Sequence, residues 1–189
     1  MASIKTSMIG LTLLLAMTAC GQSGENSSVE GKSGDSAAAS SASASTQCAF
    51  ESTKDGSPLQ ITVEPDDTPE AKEFLATCIN PYTKRYVADP EAAKEGRKKF
   101  AYYSCTQCHG ANAGGQTGPS IIDERWQYAK HVTDKGLFET IAGGTNMGMM
   151  GWHRQVTGNP EMVPTDDILK IIGWLRASYQ GGGETPWLN

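Results

Sequence analysis

The stretch YYSCTQCHG, residues 102–110, decides the fold. Two cysteines separated by two residues, followed at once by a histidine, fit three chemistries: half of a zinc site, a thiol–disulfide redox pair, or a haem anchor. A zinc site of thiolates, or of mixed Cys and His, calls for a second closely spaced ligand pair. The other cysteines after residue 20 are Cys48 and Cys78, thirty residues apart and far upstream. A thioredoxin-like pair follows a strand in a βαβ pattern, whereas a helical pattern precedes this one. C-x-x-C-H is an attachment signal for c-type haem. Thioethers from Cys105 and Cys108 would fix the porphyrin edge, and His109 would reach the iron from one face.

Working outward, the residues just before the motif predict a helix. In DPEAAKEGRKKFAYY, Asp89 is a candidate N-cap with Pro90 next, and Ala92, Gly96, Phe100 and Tyr103 recur at helical spacing. Gly96 inside a helix costs about 1 kcal/mol relative to Ala, so a neighbour should press close there. TPEAKEFLATC predicts another helix, with Thr68 as N-cap, Pro69 at its first position, and Asn80-Pro81 as its stop. DKGLFETIAGG predicts a short one stopped by glycines. PTDDILKIIGWLRASY predicts the last, capped by Thr165 with two aspartates in the first turn, and with Ile168, Ile171, Ile172, Leu175 and Tyr179 as its buried stripe. LQITV at 59–63 alternates like a short strand. The segment 88–180 carries long glycine-rich loops, and a domain of that size buries a modest core. A covalent haem would give its helices a large apolar body to pack around.

The second iron ligand should lie in GGTNMGMMGWH, residues 143–153. A thioether there would raise the iron potential. Met149 is the chosen candidate, because Met149-x-x-Trp152 resembles the Met-Pro-x-aromatic element of small cytochromes. Met147, Met150, His153 and His131 are the alternatives. Pro119, in TGPSI, is placed for its backbone carbonyl to accept the His109 N–H and orient the ring. Trp126 and Tyr128, in DERWQY, are candidates to bond haem propionates; the alternative is ordinary packing.

The chain has 189 residues and a net charge of −5, enough for one modest domain plus extra segments. It offers no basic stripe for nucleic acid. Met8–Met17 is an apolar run of signal-peptide length, preceded by Lys5 and followed by TAC. Small residues directly before Cys20 resemble a bacterial lipoprotein signal, in which that cysteine is lipidated; a cut at a nearby small residue is the alternative. Either way the chain is exported, where disulfides persist. Residues 21–46 are Gly, Ser and Ala with almost nothing bulky. Such a segment cannot offset its ordering entropy, and reads as a disordered tether with a mean reach of about 25–30 Å. The expected organisation is a signal segment at 1–20, a linker at 21–46, an N-terminal extension at 47–87 and a haem domain at 88–189.

Together, the C-x-x-C-H motif, its preceding helix with Gly96 and Phe100, the Met149 loop and the last helix with IIGWL resemble class I cytochromes c. The fold implied is mostly α, three to four helices around one covalent haem c. More narrowly, AKEFLATCINPYTKR, CHGANAGGQTGPSIID with the following RWQY, TDKGLFETIAGGT and MMGWH are similar to the cytochrome c-L family. That resemblance implies a periplasmic one-electron carrier and not an enzyme. Its haem is held by His109 and Met149. It accepts electrons from a pyrroloquinoline quinone (PQQ) methanol or alcohol dehydrogenase and passes them to a smaller cytochrome c or an oxidase, here from a lipid anchor on the membrane. A cytochrome subunit of another periplasmic oxidoreductase, and a haem enzyme with an open iron site, are the alternatives.

The lipoprotein-like tether departs from the family pattern, and so do two cysteines: Cys48, and Cys78 where a small residue such as glycine is expected. In an oxidising compartment the two suggest a disulfide, stabilising by about 3–4 kcal/mol for a loop of that length. Two free thiols are the alternative.

Overall fold

The computed structural model describes residues 48–189. The signal segment expected at 1–20 with Cys20, and the linker expected at 21–46, lie outside the described residues. Among the described residues no helix is long and apolar enough to cross a membrane.

The described chain opens with a short hairpin in which β1 (Phe50–Glu51) pairs antiparallel with β2 (Pro58–Leu59). The strand expected over 59–63 stops at Leu59. The backbone of Thr62 is taken instead by the side chain of Gln155, which accepts from its N–H (2.8 Å) and donates to its carbonyl (2.9 Å).

Helix α1 (Pro69–Thr77) starts where the Thr68 hydroxyl accepts the Ala71 N–H. It ends at Cys78, held at φ 62°, a left-handed conformation that glycine adopts without strain. A disulfide joins Cys78 to Cys48, with their Cα atoms 5.4 Å apart. Asn80-Pro81 does more than stop α1. It opens a helix that the sequence reading missed, α2 (Pro81–Ala88), with Asn80 as its cap and Pro81 at its first position. The Asn80 side-chain amide also donates to the Leu169 carbonyl at 2.9 Å.

Helix α3 (Pro90–Tyr102) is capped by Asp89, whose carboxylate accepts from Glu91 and Ala92. A single turn, α4 (Thr106–His109), follows. After a 3-10 turn at Ala129–Val132 come α5 (Asp134–Gly143), the one-turn α6 (Arg154–Thr157) and α7 (Thr165–Ala177).

Helix α7 is the spine of the fold. Helix α3 crosses it at Gly96, where a Cβ would overlap the Lys170 carbonyl oxygen and lie 2.7 Å from Trp174 Cβ. The close neighbour expected at Gly96 is therefore the backbone of α7. Helix α2 packs on the same helix at Gly173, against Tyr82 and Tyr86. Phe50, Phe74 and Phe138 join hairpin, α1 and α5, with ring centroids 4.7–5.6 Å apart. Burying each such side chain contributes about 1.5–3 kcal/mol. Phe50, Phe74, Tyr86, Phe100 and Ile172 thus belong to one core, shared by residues before and after position 88.

Thr165 does not cap α7. Pro164 holds the cap position, and the Thr165 hydroxyl pairs with His153 Nε2 at 3.0 Å. The two first-turn aspartates suit the helix dipole and also tie α7 to its neighbours. Asp166 accepts from Thr68 and Tyr82, both at 2.7 Å, and pairs with Lys170. Burial alone would push its carboxyl up, but those bonds prevail and hold it below the usual range. Asp167 accepts from Tyr103 and pairs with Lys99. Deeper in, Arg176 pairs with Asp134 at 2.7 Å, and Trp187 near the C-terminus closes over its guanidinium at 4.0 Å.

Candidate haem site

An apolar cleft opens between α3 and α7, walled by Phe100, Ile121, Ile141, Val163, Ile171 and Leu175. Four chemistry-bearing residues complete its lining: Cys105, His109, Met149 and Trp152. A larger and more polar depression, bordered by Arg97, Asn112 and Tyr179, holds no thiol, imidazole or thioether.

The C-x-x-C-H turn is positioned by the end of α3. Ser104 takes φ 60°, breaking the helix, and the chain rewinds so that the His109 N–H bonds the Cys105 carbonyl at 3.0 Å. Cysteines three apart on one turn share a face. His109 Nδ1 lies 2.9 Å from the Pro119 carbonyl oxygen. That carbonyl can only accept, so Nδ1 carries the proton and Nε2 is left for a metal. Gly118 brings this loop in, because a Cβ there would stand 3.3 Å from His109 Cε1, and its N–H bonds the Cys108 carbonyl at 2.8 Å.

The Met149 loop connects α5 to α6. The Thr145 N–H bonds the Met149 carbonyl at 2.8 Å, and the Trp152 N–H bonds the Ile141 carbonyl at 3.0 Å. Gly144, at φ 77°, allows the tight return, since a Cβ there would meet Met149 and Gly151 backbone atoms at 2.5–2.6 Å. Met149 lines the cleft, whereas Met147 and Met150 are 72% and 58% exposed. His131 and His153 are buried and committed elsewhere. Their Nε2 atoms pair with Thr140 (2.8 Å) and Thr165, and His153 Nδ1 accepts the Gln155 N–H. Burial pushes both imidazoles down to about 4, so both are neutral near pH 7.

The residues present fit a covalent haem and fit the other two chemistries poorly. Cys48 and Cys78 are bonded to each other, and among the described residues no group of three or more His, Cys, Asp or Glu could hold a metal ion. Burial pushes the Cys105 thiol up to about 11, opposite to what a reactive thiolate needs. Apolar walls with the Cys105 thiol, an imidazole and a thioether lining one cleft, and the exposed Cys108 thiol one turn further on, suit a covalently held porphyrin.

Two expected residues lie apart from this lining. Trp126 stacks on Tyr179 with centroids 5.8 Å apart and meets Trp187 edge-on, so it packs beneath the C-terminus. Tyr128 donates to Asn146 at 2.6 Å, which ties it to the Met149 loop. Trp152, the aromatic of the Met149-x-x-Trp152 element, forms part of its wall, as does Val163, which sequence reasoning did not place at the site.

Helices α3, α5 and α7 around a cleft that contains the C-x-x-C-H turn define a class I c-type cytochrome. Over 144 residues the chain is 39% identical to cytochrome c-L of Methylorubrum extorquens, covering 74% of this chain and 67% of that one. The chain belongs to the cytochrome c-L family. The crystal structure of cytochrome cL from Methylophaga aminisulfidivorans is similar at a TM-score of 0.62 and 34% identity, covering 75% of this chain and 88% of that one. That of cytochrome cL from Hyphomicrobium denitrificans gives 0.59 and 37%, covering 71% and 76%. A family model described as cytochrome c oxidase, cbb3-type, subunit III matches residues 91–163, the part that holds the C-x-x-C-H turn and the methionine loop. The protein is a c-type cytochrome with covalently bound haem c, and an electron carrier.

Proposed function

We propose that this chain is a periplasmic, lipid-tethered carrier that takes single electrons from a PQQ-dependent methanol or alcohol dehydrogenase and passes them to a downstream cytochrome c or oxidase. Cys105 and Cys108 would hold the haem as thioethers. His109 and Met149 would hold its iron. The observation that carries the reading is that His109 and Met149 line one apolar cleft together with Cys105, the first cysteine of the C-x-x-C-H turn. The family likeness supplies the direction of electron flow, since cytochromes c-L serve as acceptors for such dehydrogenases.

Haem c supplies the one-electron chemistry; the residues keep it fast and in place. His109 is fixed by Pro119, and Met149 by its loop, so little must move when the charge on the iron changes. The two segments that flank the cleft, 104–122 and 141–153, contain no Asp, Glu, Lys or Arg. A partner can therefore approach without desolvating a fixed charge, which suits the small, short-lived interfaces of redox encounters. Exposed Met147 and Met150, on the same loop as Met149, add apolar surface. Cys20 carries the lipid, residues 21–46 act as the tether, and residues 47–87 are an extension packed on the haem domain at 88–189.

Stopped-flow reduction of the purified holoprotein by candidate dehydrogenases tests the partner. Reduction by a PQQ alcohol dehydrogenase should outpace that by an unrelated donor of similar potential; equal rates remove this donor. Cys20→Ser should move the protein from the membrane fraction to the soluble one.

A further inference from the structure

The Met149 loop spans residues 144–153, and the segment that precedes α1 contacts the chain at both of its ends. On the α5 side, the Glu51 N–H bonds the Glu139 carboxylate at 2.9 Å, and the Thr53 and Thr140 hydroxyls pair at 2.8 Å. Leu59 covers Gly143, where a Cβ would lie 3.2 Å from both of its methyl groups. On the α6 side, Gln155 binds the Thr62 backbone in both directions. Arg154 pairs with Glu64 at 2.6 Å and forks onto Asp66 at 2.9 and 3.0 Å. Residues 50–67 thus bridge the last turn of α5 and the first of α6, leaving between them only the loop that carries the thioether.

We propose that residues 50–67 are a strap that holds the methionine loop shut, with Gln155 and Arg154 as positioning residues for Met149. The inference rests on the reading that Met149 is an axial ligand. An outside ligand reaches the iron only after Met149 leaves, so its apparent affinity is scaled by the fraction of molecules with the loop open. Releasing one end of the loop raises that fraction. The Gln155 pair is the sharper handle, because it makes two bonds to backbone, whereas ion pairs with an exposed partner such as Asp66 contribute little.

The test is imidazole binding to the purified ferric holoprotein, followed by its absorption spectrum. Gln155→Ala should tighten imidazole binding by about two- to tenfold, the lower part of the range that two lost, solvent-exposed hydrogen bonds allow. Gln155→Glu keeps the acceptor for the Thr62 N–H and loses the donor, so its effect should be smaller. Asn80→Ala, which uncaps α2 away from the loop, should lower thermal stability and leave imidazole affinity unchanged. Equal affinity in wild type and Gln155→Ala overturns the strap while Met149 stands as ligand. So does an equal gain in Asn80→Ala, which would report general softening. If Met149→Ala retains the methionine–iron band, the ligand reading itself fails and the strap falls with it.

Discussion

The backbone of Gly96 rests against the carbonyl of Lys170, with no space for even a methyl group between helices α3 and α7. The Lys170 backbone cannot yield as a flexible side chain would, so Gly96→Ala must push the helices apart. Overpacking costs about 1–3 kcal/mol and sometimes more, against about 1 kcal/mol regained in helix propensity. Because the overlap is with backbone, the cost should lie in the upper part of that range, and a net loss of about 1–2 kcal/mol is expected in denaturant unfolding, with α3 and α7 displaced around the cleft they wall. A variant as stable as wild type would contradict the contact.

The disulfide between Cys48 and Cys78 closes a thirty-residue loop, and its removal should lower stability by about 3–4 kcal/mol. Cys78 also sits at φ 62°, where a side chain is strained by about 1–2 kcal/mol. Cys48→Ser with Cys78→Gly should therefore lose less than Cys48→Ser with Cys78→Ser. Urea midpoints of both pairs, beside wild type with and without dithiothreitol, measure the two effects separately.

Substituting the methionines one at a time should separate ligand from rim. Met149→Ala is expected to abolish the methionine–iron absorption band and lower the reduction potential. Met147→Ala and Met150→Ala, whose side chains face solvent, should keep both. Redox titration with optical detection reads all three.

Stability should rise with pH between about 4 and 6.5. His131 and His153 are held near 4 by burial, whereas an unfolded histidine titrates at about 6.5. Within that window the unfolded chain binds protons that the native state refuses, so acid favours unfolding. The stability is fully present above about pH 6.5 and is lost as pH falls towards 4, by at most about 3 kcal/mol per histidine. Urea midpoints at pH 4.5 and 7 should differ accordingly, and a level midpoint would contradict the burial.

Helix caps and the haem motif were legible because each is written in adjacent residues. Thr68 and Asp89 announce α1 and α3, and Gly96 announces a helix crossing before any partner is known. Helix α2 was hidden because Asn80-Pro81 is at once the stop of one helix and the start of the next, and PYTKRYVA is too short to show a period. Thr165 has the chemistry of a cap, yet its hydroxyl is drawn to His153, a partner twelve residues upstream. The same holds for LQITV, whose alternation is real but whose backbone bonds go to Gln155. At the site, five consecutive residues name the anchor. Which way Trp126 faces depends on Tyr179 and Trp187, and nothing local to it could say so.

Helices α1 and α2 are made early and find their partners late. Thr68, Asn80 and Tyr82 bond to residues 166–169, some 84 to 98 positions further along the chain. A growing polypeptide cannot settle these helices until its final stretch has emerged, and long loops must close before such contacts form. The C-x-x-C-H turn at 105–109 lies between the two partners of each of these contacts, so closing the fold around it waits on the last helix.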